Sequence, residues 1–240
     1  RATEPLAEIM YTVLLRELDY AQDYAVAELE IEMEGEGRLA EFVQTAARLF
    51  ASEAGAVDTE TPIPTPIAGQ VAVDEYRVWQ RVRKGAQRIN RASAILHAMS
   101  PQTYPTPEAW AVTQRHEADI TIETVVERTF DLAARRRPGH GVVFIIDEVG
   151  QYVARSVDKI EGLRAVVEQF GVQSKNRVLK RQAVAPVWVI VTSQEKLDEV
   201  VAAIDDKRVE LPKLQDRFRI RVDMVPADIR EVATKRVLVK

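Results

Sequence analysis

The sequence predicts an α/β chain, with a parallel sheet interleaved with helices over its second half and a largely helical first half. Three observations predict it. Val142–Ile146 and Val187–Thr192 are rich in β-branched residues and apolar without alternation, the pattern of strands covered on both faces of a parallel sheet. With a third short run, Arg219–Met224, two helical patterns between the runs and one after them, they give the order strand, helix, strand, helix, strand, helix. Before residue 137, apolar residues recur at 3.6-residue spacing in segments punctuated by glycine and proline.

Pro5 to about Met33 reads as one helix, with Leu6, Ile9, Met10, Val13 and Leu14 on one face and Gly35 and Gly37 as its break. Arg38 to Ala51 reads as a second, striped by Leu39, Phe42, Val43, Ala46, Leu49 and Phe50. The proline-rich stretch Asp58–Gln70 is a loop, a linker or the tip of an insertion. A long helix follows from Val73 to about Met99, buried along Val78, Val82, Ile89 and Leu96. It carries Arg77, Arg81, Arg83, Lys84, Arg88 and Arg91, which read first as a solvated face and otherwise as a contact surface for anions or nucleic acid.

Ser100–Trp110 is a second proline-punctuated loop. Helix resumes from about Asp119 to Arg136, capped by Asp119 or Thr121, with Ile122, Val125, Val126, Phe130 and Ala133 facing inward. Arg135–Gly141 stops it, and positive charge there suits a helix C-terminus without any ligand. Beyond the first strand, a helix from about Asp158 to Phe170 ends at Gly171, and further helices are expected over Glu195–Ile204 and, opened by Pro226, over Pro226–Leu238. The chain thus divides into a mostly helical region over 1–140, with proline-rich insertions or linkers at 55–70 and 100–109, an α/β core over 141–225, and a last helix over 226–240.

Composition narrows the function classes. The 240 residues are 46% hydrophobic and 29% charged, a soluble profile long enough for one α/β domain. A net charge of −4 supplies no global field toward nucleic acid or anionic lipid. The absence of cysteine excludes disulfides and thiolate-bound metal, and suits a reducing, cytoplasmic setting. No apolar run approaches membrane-spanning length, and no signal peptide follows Arg1.

The chemistry-bearing stretch is "VVFIIDEVGQY", Val142–Tyr152, in which an apolar run ends in two adjacent acids. One reading is a core strand that simply ends in polar residues. The other is a strand delivering Asp147 to the shell of a Mg²⁺ ion and Glu148 to an attacking water, as a nucleotide triphosphatase requires at the carboxyl end of a parallel sheet. The second apolar strand ends in "TSQE", where Ser193 suits a helix cap and Thr192 or Gln194 would face a phosphate. "LQDRF" then places Arg217 beside an aromatic anchor, where a guanidinium could reach into a neighbouring subunit's nucleotide. Arg219 is its rival, and a surface pairing of Arg217 with Asp216 or Glu210 is the bland alternative.

In this order the motifs resemble the second half of an AAA+ ATPase core, a P-loop NTPase fold. "VVFIIDE" resembles its Walker B strand, "VWVIVTSQ" its sensor-1 strand, "LQDRF" its arginine-finger box and "PADIREVATKRVL" the opening of its helical lid. The wording from "FIIDEVGQY" to "LQDRFRIRV" is similar to the large P-loop proteins of BREX-type bacteriophage-defence systems, over about Gly141–Lys240. The resemblance implies an ATPase parent working with ATP and Mg²⁺, as a homo-oligomer or with other subunits of a defence complex. In it Asp147 would hold Mg²⁺ directly or through water, and Glu148, Thr192, Gln194 and Arg217 would serve hydrolysis.

The sequence departs from that family at one point. It has no Gly-Lys-Ser or Gly-Lys-Thr loop: Glu34–Gly37, "EGEG", is acidic, and "RRPGHG" lacks the lysine. The expectation is therefore a P-loop before Arg1 and a chain that alone binds nucleotide weakly and is inactive. The alternatives are a non-catalytic scaffolding module with degenerate ATPase motifs, a nucleic-acid contact through the Arg77–Arg91 helix with DNA as partner, and a Mg²⁺-dependent nuclease on Asp147, Glu148 and either Asp158 or Asp119.

Overall fold

The computed structural model describes residues 5–54, 63, 67, 69–114, 120–153, 156–193, 218, 220 and 222. The single helix expected over Pro5–Met33 is two, α1 (Leu6–Glu17) and α2 (Tyr24–Gly35). Asp19 takes a left-handed backbone (φ 58°) that ends the first, and the Asp23 carboxylate accepts a hydrogen bond from Val26 N at 3.2 Å and starts the second. The apolar pattern does not betray the break because Leu18, Tyr20 and Ala21, in the turn, are themselves buried.

The same happens to the long basic helix, which divides into α4 (Val73–Val82) and α5 (Arg88–Met99), after α3 (Leu39–Ala54). Arg91 closes the turn between them by donating to the Val82 carbonyl at 3.3 Å, one of the carbonyls a helix end leaves unpaired. Helix α3 packs on both, with Phe42 edge-on to the indole of Trp79 at 4.8 Å between centroids. Ser93 of α5 accepts from the backbone N–H groups of Trp110 and Ala111, both at 3.1 Å, and so anchors the short α6 (Ala109–Thr113). Thr121 caps α7 (Ile122–Arg136) through Thr124 N at 3.2 Å.

These helices meet on a buried ionic network that composition alone does not announce. Glu30 of α2 accepts from Ala21 N at 2.6 Å, from Arg83 Nη1 at 2.7 Å and from the Trp79 indole. Arg83 also reaches Asp19 at 2.6 Å. One turn along α2, Glu34 accepts from the Tyr20 hydroxyl and lies 3.0 Å from Arg136 Nε, a contact that is ionic without hydrogen-bond alignment. Arg136 stacks over the Tyr20 ring at 3.9 Å and donates to Tyr76 at 3.3 Å. Burial alone would lower the pKa of both arginines; the surrounding Glu30, Tyr76 and Asp19 raise that of Arg83 instead, and Tyr76, Tyr20 and Glu34 raise that of Arg136. Each charge is thus retained inside the fold by named partners, which is how a buried ion pair offsets its desolvation cost.

The second half adds β1 (Val143–Ile146), a one-turn α8 (Val149–Val153), α9 (Val157–Leu179) and β2 (Trp188–Val191). The strands pair in parallel, Val143 opposite Trp188 and Ile146 opposite Val191, with α9 as the crossover between them. Helix α9 packs against α1 and α7, and its Phe170 meets Phe144 of β1 at 5.5 Å between ring centroids. It does not stop at Gly171, as expected, but runs eight residues further, to Leu179. Ser174, beyond that glycine, is buried and accepts from Val187 N at 3.0 Å, so packing carries the helix past Gly171, as it carries it past Gly162.

The expected α/β fold class does not survive. The described residues are overwhelmingly helical with one open two-stranded sheet, in place of the parallel sheet of a P-loop NTPase core. Strand–helix alternation counted the elements but not how many strands would pair. Phe218 packs on the core while Ile220 and Val222 are exposed, and none of the three belongs to a strand. The helices expected over Glu195–Ile204 and Pro226–Leu238 lie outside the described residues.

Candidate functional site at the exposed sheet

The carboxyl end of the sheet brings three of the sequence-selected residues together. Thr192 follows β2, and its N–H continues the ladder to the Ile146 carbonyl at 3.0 Å. Its hydroxyl donates to Asp147 Oδ1 and accepts from Glu148 N at 3.0 Å, and its carbonyl accepts from Val149 N at 2.9 Å. Thr192 therefore clamps the turn between β1 and α8. Glu148 sits in that turn at φ 53°, a left-handed backbone that costs an ordinary side chain about 1–2 kcal/mol.

The chemistry open to this edge is limited. The Thr192 proton is committed to Asp147, leaving two adjacent carboxylates at the surface. Mg²⁺ demands a near-octahedral oxygen shell, and among the described residues no group of three or more His, Asp or Glu side chains converges to hold a metal ion. Asp158 lies in the first turn of α9, and Ser156 caps that helix. Gln194, Arg217, its rival Arg219 and the alternative acid Asp119 lie outside the described residues, as do Asp216 and Glu210.

The face of the sheet is the more unusual feature. Its inner side chains, Phe144, Ile146, Val189 and Val191, belong to the core or pack against it. Its outer side chains are Val143, Ile145, Trp188 and Ile190, and they remain 53%, 69%, 52% and 49% exposed. Val143 stands opposite Trp188 and Ile145 opposite Ile190, so the four form one block across the two strands. The expectation that both faces are covered is thus corrected: an unalternating apolar run reports side chains suited to burial on both faces, not what covers the second one.

Asp147 and Glu148 stand at the carboxyl end of the sheet; exposed His140 precedes β1, and exposed Lys180 and Arg181 follow α9, with Lys180 lining a cleft beside Asp131 and Arg177. Gly141 and Ala185 place those segments side by side, since a Cβ on Gly141 would lie 3.2 Å from that of Ala185.

The basic helix finds its partners largely within the protein. Arg83 is buried in its ion pairs, Arg88 pairs with Asp23 at 2.7 Å and Arg91 lies over the Phe50 ring at 5.9 Å. Sequence reasoning missed Glu30, which fell unremarked inside the first expected helix, and Glu34, which it read only as part of an acidic break. The signal was present: the two acids are four residues apart on a helix, and Arg83 and Arg136 continue the apolar rows Tyr76–Trp79 and Val125–Thr129–Leu132.

The chain matches no family model and no solved structure. With the helical fold, that overturns the AAA+ reading and the P-loop, Walker B, ATPase and BREX phage-defence identities that followed from it. The motif order was matched on short segments whose apolar-then-acidic pattern is shared by any core strand that meets solvent at its end.

Proposed function

We propose that the chain is a protein-interaction module: a helical body, locked internally by ion pairs, that presents the outer face of its two-stranded sheet to another protein. The observation that carries this is the block of Val143, Ile145, Trp188 and Ile190, apolar and 49–69% exposed on a sheet whose inner face is packed. Contiguous exposed apolar side chains rimmed by charge mark association surfaces, and aromatic residues such as Trp188 are enriched in their centres. On this reading the Thr192 clamp holds β1 and β2 in register, and Asp147 and Glu148 form part of the rim. No helix among the described residues is long and apolar enough to cross a membrane. The absence of cysteine from the sequence favours work in a reducing compartment such as the cytoplasm.

A photo-crosslinking amino acid at position 143 tests the reading in the cells that make the protein. A covalent adduct with a protein is expected from position 143 and none from the exposed position 41 of α3. Adding Ile145→Lys beside the probe should abolish the adduct without changing the circular dichroism. Equal adduct yields from positions 143 and 41 would reject a docking face.

A further inference from the structure

The geometry points to a second site, in the cleft between α7 and the C-terminal end of α9, that binds a small polyhydroxylated anion through its carboxylate or phosphate. The cleft has a volume of about 630 Å³, the size of a small-molecule site, and is lined by Asp131, Gln173, Asn176, Arg177, Lys180 and Gln182. The inference is independent of the docking face.

Gln173, Asn176, Arg177 and Lys180 follow the i, i+3, i+4, i+7 spacing that puts them on one stripe of α9 and its C-terminal cap. Gln182 joins them because its backbone N–H donates back to the Arg177 carbonyl at 2.8 Å. The Arg177 side chain is only 20% exposed and is held from two directions. Its Nη1 donates to Asp131 Oδ1 at 2.6 Å, and the guanidinium lies 5.0 Å from the centroid of the Phe130 ring. Among the described residues its Nε and Nη2 make no hydrogen bond, and neither do the side chains of Gln173, Asn176, Lys180 and Gln182. A guanidinium fixed in place with donors to spare is preorganised for an oxyanion.

Arg177 and Lys180 bring two positive charges against the single negative charge of Asp131, so the cleft favours an anion. The helix-end carbonyls that would oppose one are already taken. Those of Asn176, Arg177 and Val178 accept from the N–H groups of Lys180, Gln182 and Arg181 at 3.1, 2.8 and 3.0 Å. The three carboxamides each offer a donor and an acceptor, which suits hydroxyl groups on the body of the ligand and not hydrocarbon.

The test is a titration of the isotopically labelled 240-residue chain followed by NMR at constant ionic strength. Glycerate and glycerol phosphate are the probes, and glycerol is the uncharged control. Saturable shifts are expected at the backbone amides of Asn176, Arg177, Lys180 and Gln182 with at least one anion. Binding of one anion alone identifies the recognised group as the carboxylate or the phosphate. Arg177→Met keeps an unbranched stem against Phe130 and should weaken binding about tenfold or more. Lys180→Gln, at an exposed position, should weaken it about threefold and serves should Arg177→Met fail to fold. Asp131→Asn removes the charge that opposes the anion and should strengthen binding about threefold. Shifts that fail to saturate with either anion overturn the inference. So do equal shifts with glycerol, or binding unmoved by both Arg177→Met and Lys180→Gln.

Discussion

Arg136 carries the largest single consequence at the residue scale. It is buried, its Nη2 has no hydrogen-bond partner among the described residues, and it neutralises Glu34. Arg136→Ala leaves the buried Glu34 carboxylate with the more distant Arg135, 3.6 Å away, as its ion-pair partner and should cost up to about 3–5 kcal/mol, read as a lowered urea midpoint. Arg136→Met combined with Glu34→Leu should recover part of that loss, because an apolar pair of similar volume avoids the desolvation of both charges but leaves the Tyr20 hydroxyl without its acceptor. A double variant as unstable as the single one would show that shape, not charge, governs the site. Glu148 makes a smaller and opposite kind of statement. Its left-handed backbone accepts asparagine more readily than a β-branched side chain, so Glu148→Asn should be neutral to stabilising and Glu148→Ile should melt at a lower temperature than both that variant and the unmodified protein. Equal melting temperatures for the two would mean that the turn relaxes on substitution.

Among the elements, α9 is the longest described helix and contains its own flaw. Gly171 is exposed, and a Cβ added there meets nothing within 4 Å. Gly171→Ala should therefore stabilise the protein by about 0.5–1 kcal/mol, by removing the entropic cost of glycine in a helix interior. A destabilised variant would indicate that α9 needs freedom at that point. The helix breaks at Asp19 and after Val82 have a different origin. Each occurs where a side chain or carbonyl of the turn is claimed by a distant group: Asp19 by Arg83, the Val82 carbonyl by Arg91. Apolar spacing does not register the first break because Leu18, Tyr20 and Ala21 of its turn are as buried as the helices it joins; the second turn, with Lys84, Ala86 and Gln87 exposed, carried a readable signal in Gly85. Of the third strand expected from the sequence only Ile220 and Val222 are described, and neither pairs in the sheet: composition qualifies a residue for a sheet, but pairing decides membership.

For the whole molecule, the buried tyrosines predict how stability responds to alkali. Burial raises the pKa of Tyr20, against the opposing charge of Arg136 and with the help of its hydrogen bond to Glu34. Burial likewise raises Tyr76, opposed by Arg83 and Arg136, and raises Tyr11, where Glu28 adds to it. A tyrosine titrates at about 10 in the unfolded chain, so these phenols contribute fully below that pH. Above it the unfolded state releases protons that the folded state keeps, and stability falls as pH rises toward the folded values. The urea midpoint should decline above pH about 10, and phenolate absorbance from these residues should appear together with unfolding. Complete phenolate absorbance at that pH in still-folded protein would contradict their burial.

By itself the sequence determined the helical character of the first half, the apolar stripes of α3 and α7, the Thr121 cap as one of two candidates, and the positions of both described strands to within a residue or so. Those properties follow from spacing along the chain and from local side-chain chemistry, and neighbours cannot easily reverse them. It also located the turn at Asp147 and Glu148, but the part those acids play was borrowed from a resemblance that the fold does not support. Only the tertiary structure decided that two strands and not a full sheet assemble among the described residues, that Gly171 lies inside a helix, and that Glu30, Glu34, Arg83 and Arg136 are interior. Each of these depends on free energy exchanged between residues far apart in sequence: a carboxylate becomes a core residue when a guanidinium some 50 to 100 positions away arrives to neutralise it. The bare sheet face is of the same kind. Periodicity shows that Val143, Ile145, Trp188 and Ile190 are fit for burial, and only packing reveals that this chain's described residues leave them uncovered.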